Sequence, residues 1–387
     1  MRIGAVICEY NPFHNGHKFQ LEKIKKECDS VICVMSGSFV QRGDIAVVDK
    51  WTRAGMAINN GADLVIELPV CFSLNTAERF SFGAVSLIDS LGVCDSLYFG
   101  SECGNTDTLK NAASILLNEP KEISDKIKKL MDSGISYPSA REEAFCDVID
   151  KDLLSEPNNI LALEYIKSLM AINSKIKPVT IKREFSSYHE TTPTNPITSA
   201  TAIRELIKNG EDFNSYIPEN TVNLYENFSK PDVENLSDIL LYTIRTTTQQ
   251  ELSKINEVSE GLENRIIEAI NHERSFDGVC NFIKSKRYTM SKIRRMLLSI
   301  VLGLDKELSK KPPQYIRVLG MNKKGMDILS EIKKKSSLPI ITKVADFKIK
   351  SEAFEKDILS TDIFYLSQKN DKSFGKDFKT SPVIIKE

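Results

Sequence analysis

Cysteine chemistry is thin in this sequence. Its 8 cysteines include no C-x-x-C pair and no Cys/His cluster. Neither a disulfide framework nor a zinc site is therefore expected, and the thiols read as reduced and mostly buried. No apolar run approaches the roughly 18 residues that a membrane span needs. Residues 1–8 meet Glu9 too soon for a signal peptide. A cytoplasmic protein with no membrane partner is expected. GxxxxGK[ST] and GxGxxG are both missing, as are internal repeats and low-complexity tracts, which disfavours P-loop, dinucleotide-binding and solenoid folds. Charge of one sign is also lacking overall, since the formal net charge is −1 over 387 residues.

What is present is ordinary globular composition, 41% hydrophobic and 27% charged. At about 150 residues per domain, two to three domains are expected. Charge is unevenly placed. Residues 281–350 hold 18 Lys+Arg and 5 Asp+Glu, a net of +13. Such a block attracts phosphates even on a neutral protein, although it is often only a solvated face.

Hydrophobic period alternates along the first hundred residues. Short apolar runs at 3–8, 30–35, 63–68 and 96–99 read as strands, and 15–28, 50–60 and 76–91 as helices. Strand–helix alternation with apolar strands predicts an α/β fold with a parallel sheet covered on both faces. Ligands then bind beyond the carboxyl ends of the strands. Residues 105–175 read as helices, 177–182 as a strand and 199–208 as a helix ended by Asn209-Gly210. Beyond residue 216 long amphipathic helices dominate, with strand candidates at 315–319 and 339–342. A boundary near 209–217 divides the chain into a catalytic domain, 1–212, and a mainly helical basic domain, 213–387.

Glu9-Tyr10-Asn11-Pro12-Phe13-His14-Asn15-Gly16-His17 follows the first strand and opens the first helix. Free N–H groups at a helix start, with its positive dipole end, make an anion site. Gly16 allows close approach of a nucleotide, and two histidines three apart share a helical face. Either histidine alone would be an ordinary core or surface residue. Together they can meet triphosphate oxygens as pyrophosphate leaves.

This segment resembles the HIGH-type signature of the nucleotidyltransferase superfamily, whose members adenylate their substrates. A second signature resembles SSTxIR in Ser199-Ala200-Thr201-Ala202-Ile203-Arg204, with Ala200 where serine is frequent. Hydroxyls and amides there can hold phosphate oxygens, and Arg204 can neutralise the leaving charge. Its bland alternative is a capped helix. His14, His17 and Arg204 are the catalytic candidates, with Ser199 and Thr201 as nucleotide contacts. Residues 290–295 look like part of KMSKS but read as a basic helix start.

Longer segments are more specific: MSGSFVQRGD at 35–44, DKWTRA at 49–54, DLVIELP at 63–69, FGSE at 99–102, PNNIL at 157–161 and Lys182-Arg183. They closely resemble the bacterial tRNA(Met) cytidine acetate ligase family. The resemblance implies a Rossmann-like HIGH-type sheet followed by a mainly helical domain. It implies activation of acetate by ATP as acetyl-adenylate, then acetylation of N4 of the wobble cytidine of elongator tRNA(Met). It also implies an ATP site along Ile7, Cys8, Glu9, Tyr10, Asn11, Pro12, Phe13, His14, Asn15, Gly16, His17, Lys18, Phe19 and Gln20, then Gly100, Asn158 (Asn159 being an alternative) and Arg183.

Each of the last three has a bland alternative: a turn glycine, a helix N-cap, and an ion pair of Arg183 with Glu184 or Glu190. Gln41 and Arg42 are candidates for acetate or tRNA contact, with loop hydrogen bonds as the alternative. Mg²⁺ is expected to ride mainly on the phosphates, with no protein metal site. For tRNA, Lys284, Lys286, Arg287, Lys292, Arg294 and Arg295 are the expected phosphate contacts. Two rivals are an adenylyltransferase for a small phosphorylated acceptor and a non-catalytic RNA-binding protein that keeps the fold.

Overall fold

A computed structural model describes residues 1–183, 198–225, 228–259, 261–348 and 350–386. The strands, in chain order, are β1 Ile3–Cys8, β2 Ser30–Ser36, β3 Phe39–Val40, β4 Asp44–Ile45, β5 Leu64–Leu68, β6 Ser96–Ser101, β7 Lys177–Lys182, β8 Ile316–Met321, β9 Ile340–Ile341 and β10 Val383–Ile384. Among the described residues, eight of them form one sheet in the order β10-β8-β5-β2-β1-β6-β7, with β9 beside β8. β3 and β4 form a separate hairpin.

The apolar runs explain the centre of the sheet. β2 and β5 are buried at every position, as strands covered by helices on both faces must be. β1 pairs in parallel with β2 and β6, β2 with β5, and β6 with β7. Helix Asn15–Lys25 lies close on β1. A Cβ at Gly4 would sit 3.0 Å from Ile24 Cγ2 and 3.1 Å from Cys28 Sγ, so a larger residue there would push the first helix off its strand.

Two differences from the sequence reading bear on the site. β6 runs to Ser101, because Gly100 and Ser101 still pair with Ile181 and Lys182 of β7. Gly100 therefore lies within a strand rather than just past one. The sheet is also not parallel throughout. β8, from the C-terminal half, pairs antiparallel with β5, with a register shift between Val65 and Ile66.

The helix before the expected boundary, Ala200–Asn209, ends on Gly210 with φ 76, a left-handed cap that glycine adopts readily. Beyond it the two halves share interior. Lys50 and Glu67, from the first half, meet Arg317 and Asp377 from the second. Lys50 Nζ lies 2.9 Å from Glu67 Oε1 and 3.0 Å from Asp377 Oδ1. Arg317 Nε lies 3.2 Å from Glu67 Oε2, and Arg317 also pairs with Asp377. Two cations and two carboxylates balance, which is the condition under which buried charge is tolerated. A second core joins Phe39, Val40 and Ile45 of the hairpin to Leu240, Ile266, Val279 and Leu297 of the helical half. No helix among the described residues is long and apolar enough to cross a membrane.

Candidate active site at the carboxyl ends of the central strands

Three helices start at the carboxyl edge of β1, β6 and β7: Asn15–Lys25, Pro157–Ala171 and Ala200–Asn209. Residues of all three first turns line one cleft, together with the ends of those strands. This convergence concentrates positive dipole ends where an anion would sit.

His14 is the N-cap of the first helix and His17 its third residue. Gly16 N–H donates to His14 Nδ1 at 3.0 Å, and His14 N–H donates to His17 Nδ1 at 3.3 Å. This reciprocal pair forms a capping box. It makes Nδ1 the acceptor on both rings, so each neutral imidazole carries its proton on Nε2. The rings stack with centroids 3.6 Å apart, and Tyr10 meets His17 edge-on at 4.8 Å. Burial, then the charges of Arg183 and Arg204, lower His14 to about 3. Burial, then His14 and Arg183, hold His17 well below its ordinary value. Both rings are therefore neutral donors near pH 7, rather than cations.

Across the cleft, Ser199 Oγ accepts from Ala202 N–H at 3.1 Å and caps the other helix. Arg204 donates to Asn11 O at 2.7 Å and to Thr201 Oγ1 at 3.0 Å. It thereby ties the second signature to the first. Ser199, Thr201 and Arg204 all line the cleft, so capping and ligand contact coexist.

Of the 7–20 segment, Ile7, Cys8, Glu9, Tyr10, Asn11, His14, Gly16, His17, Phe19 and Gln20 line the cleft. Pro12, Phe13, Asn15 and Lys18 are outside that lining. Phe13 is fully buried against Tyr10, and Asn15 donates to Ser215 O at 3.1 Å. Gly100, Asn158 and Arg183 line the cleft. A Cβ on Gly100 would lie 3.4 Å from Arg183 Cγ, an ordinary contact, so Gly100 and Arg183 are neighbours in the lining. Glu184 and Glu190, the alternative partners of Arg183, lie outside the described residues.

Burial distinguishes the two asparagines. Asn158 faces the cleft, whereas Asn159 is 1% exposed and accepts from Cys103 N–H at 3.0 Å. Asn158 is not the N-cap, a position held by Glu156. Glu102 takes the capping role from outside the helix. Its carboxylate accepts Asn158 Nδ2–H at 2.6 Å and Asn159 N–H at 2.8 Å.

Sequence reasoning gave no role to three residues that shape this site. Arg53 is fully buried and donates to Val48 O, Glu9 O, Ser36 O and Gly37 O, at 3.1, 2.7 and 2.9 Å for the first three. It gathers the carboxyl ends of β1 and β2. The signal was an arginine on a helix whose exposed face it does not share. Tyr165 lines the cleft at 5% exposure and its hydroxyl has no hydrogen bond among the described residues. Phe80 completes the apolar wall with Phe99 and Leu161. Glu9 is the one carboxylate in the lining among the described residues. Burial raises its pKa, against the pull of Gln41 N–H and the charges of Arg204, Arg42 and Arg53.

The expected RNA contacts divide in two. Lys284 and Lys286 are exposed, and Arg287 and Lys292 are half-exposed. Lys292 lies over the Tyr288 ring at 4.9 Å. Arg294 instead donates to Gly43 O at 3.0 Å and pairs with Asp277 at 2.9 Å and Asp44 at 3.3 Å. Arg295 is 8% exposed and paired with Glu257. Both arginines are thus engaged by protein acceptors, Arg295 buried and Arg294 partly exposed.

The HIGH Nucleotidyl Transferase family model matches residues 1–377. The chain is 46% identical to the tRNA(Met) cytidine acetate ligase of Thermoanaerobacter sp. (strain X514), covering 98% of each chain. It is 41% identical to that of Clostridium perfringens (strain ATCC 13124), covering 100% of each. The crystal structure of Thermotoga maritima TmcAL bound with alpha-thio ATP superposes with a TM-score of 0.90, at 33% identity over 100% of each chain. The chain belongs to the tRNA(Met) cytidine acetate ligase family. The cleft brings the histidine box, Arg204 and the three helix starts together. The turn carrying Gln41 and Arg42 lines the same cleft as Phe80 and Tyr165.

Proposed function

We propose that this protein condenses acetate with ATP to acetyl-adenylate and transfers the acetyl group to N4 of the wobble cytidine of elongator tRNA(Met). The observation that carries the reading is the reciprocal His14–His17 box facing Arg204 across a cleft built on three helix starts.

In the first step an acetate oxygen attacks the α-phosphorus, and the bond to the β-phosphate oxygen breaks. Charge grows on the departing pyrophosphate. The Nε2–H groups of His14 and His17, the Arg204 guanidinium and the amides at residues 199–201 are the donors for it. Gly100, Asn158 and Arg183 serve the nucleoside end. Glu9, the lining carboxylate, accepts Gln41 N–H at 2.7 Å through Oε1; a Mg²⁺ ion bound with the nucleotide would neutralise phosphate charge and would be held mainly by phosphates and water. In the second step the cytidine amine attacks the acetyl carbonyl, AMP leaves, and the amine loses a proton. The amine is a poor nucleophile, which is why an activated anhydride is needed.

An anticodon base must leave its stack to enter the cleft. Lys284, Lys286, Arg287 and Lys292 are the phosphate contacts for that RNA. ATP and tRNA place the activity in the cytoplasm. The test is incubation with ATP, Mg²⁺, labelled acetate and bacterial tRNA, followed by nucleoside mass spectrometry. Acetylcytidine that needs all three substrates is the expected product. AMP attached to a small phosphorylated acceptor, without acetylcytidine, would favour the rival adenylyltransferase.

A further inference from the structure

The turn between β3 and β4 has two sides. On one, Gln41 and Arg42 line the cleft. Gln41 is anchored there by its N–H to Glu9 Oε1 at 2.7 Å and its Nε2–H to Asn75 O at 3.1 Å. On the other side lies helix Met290–Leu302 of the C-terminal half. Arg295 Nη1 donates to Gln41 O at 3.4 Å, and Arg295 Nη2 to Glu257 Oε2 at 3.0 Å. Arg294 Nε donates to Gly43 O at 3.0 Å, and its Nη2 reaches Asp44 Oδ1 at 3.3 Å.

The fit between turn and helix is tight. Gly43 has φ +77, and a Cβ there would stand 2.5 Å from the Arg295 backbone nitrogen and 2.9 Å from the Arg294 carbonyl carbon. Only a residue without a side chain lets the turn seat on the helix. Glu257, which holds Arg295, has φ 62, a strained setting for a non-glycine residue that persists only where its surroundings fix it. Phe39, Val40 and Ile45 are packed in the helical core, so the hairpin belongs to that core as much as to the cleft.

We propose that Arg294 and Arg295 are positioning residues for adenylation. They hold the Gln41–Arg42 turn at the carboxylate end of the cleft, so the C-terminal half is required for acetate activation before any RNA binds. This rests on the adenylation reading above. A carboxylate activated for in-line attack depends on placement, and small displacements of the groups around it are costly. Two arginines in the most basic stretch of the chain thus act on the ATP cleft rather than on tRNA phosphates.

The test is acetate-dependent ATP–pyrophosphate exchange without RNA, on full-length Arg295→Ala, Arg295→Lys and Gly43→Ala. Amide hydrogen exchange over residues 39–45 and melting temperatures are measured on the same samples. In Arg295→Ala, kcat/KM for acetate is expected to fall about tenfold to a hundredfold, chiefly through KM, while ATP affinity stays within about twofold. Arg295→Lys recovers part of the loss. Gly43→Ala, which keeps both arginines, reproduces it, and residues 39–45 exchange faster in both Ala variants. Should Arg295→Ala fail to fold, Gly43→Ala and Arg295→Lys carry the decision. Unchanged RNA-free exchange activity and unchanged amide protection, with tRNA affinity lost in Arg295→Ala alone, would overturn the proposal. If the wild-type protein shows no acetate-dependent exchange, the adenylation reading fails, and amide protection over 39–45 still decides the positioning.

Discussion

Arginine occupies two kinds of surroundings in this molecule. At the cleft, Arg204 uses one donor on Asn11 O and one on Thr201 Oγ1, leaving others of its five for a ligand. Elsewhere the partners are all protein: Arg53 donates to four carbonyls behind the cleft, and where the halves meet Arg317 lies between Glu67 and Asp377 and Arg295 is held by Glu257 and Gln41 O. The first kind faces a space that can hold phosphate. The second fixes backbone around that space. A guanidinium's partners, rather than its presence in a basic stretch, decide whether it binds substrate or shapes the binder.

The largest effect should come from the cleft. His17→Ala removes an Nε2–H donor and is expected to lower acetate-dependent exchange by about 10²–10³-fold. The fold should remain, since losing one cap interaction costs about 0.5–2 kcal/mol. Retained exchange activity would break the comparison at its first term. Lys50→Met probes the second term. It strands Glu67 and Asp377 beside a single arginine, and is expected to cost about 3–5 kcal/mol of stability, read by urea unfolding. A neutral result would mean that the network between the halves adds nothing.

Much of this contrast could be read in the sequence at the first site and little at the second. The strand–turn–helix order, HxGH and the 199–204 motif are local, so the strand–helix pattern together with the resemblance of the two motifs placed His14, His17 and Arg204 near helix starts. The geometry that joins the halves is not local. Arg295 meets Gln41, 254 residues earlier, and Glu257, 38 residues earlier, and nothing in a run such as Lys292-Ile293-Arg294-Arg295 marks which cations are taken by protein acceptors. β8 likewise read as a strand at 315–319, but its antiparallel seat beside β5 is set by tertiary packing and by the Arg317–Glu67 pair. Asn158 and Asn159 were equivalent by spacing and separated only by burial.

A smaller effect sharpens the RNA side. Lys284→Glu with Lys286→Glu should weaken tRNA binding and reduce its salt dependence by about one unit of slope per lysine, while ATP affinity is unchanged. An unaltered slope would remove this patch from the interface.

The smallest effect is a pH dependence with two opposing signs. His14 is lowered to about 3 in the folded protein. Its unfolded form takes up a proton below about 6.5, so the His14 contribution is complete above that value and declines as pH falls toward 3. Asp357 is raised to about 7, first by burial and then by the Glu67 charge. Its contribution is complete below the ordinary carboxylate range and is lost as pH rises through 7. Ring-proton NMR of His14 and His17 should show no titration between about pH 6 and 8, and a midpoint near 6.5 would contradict the neutral-donor account.

The central claim is that one cleft activates acetate for transfer to RNA. The most direct measurement is acetylcytidine in tRNA after reaction with labelled acetate and ATP, run beside RNA-free pyrophosphate exchange. The account predicts both: exchange that needs acetate but no RNA, and label on cytidine that needs ATP, acetate and tRNA together. A folded, ATP-binding protein that yields neither would contradict it.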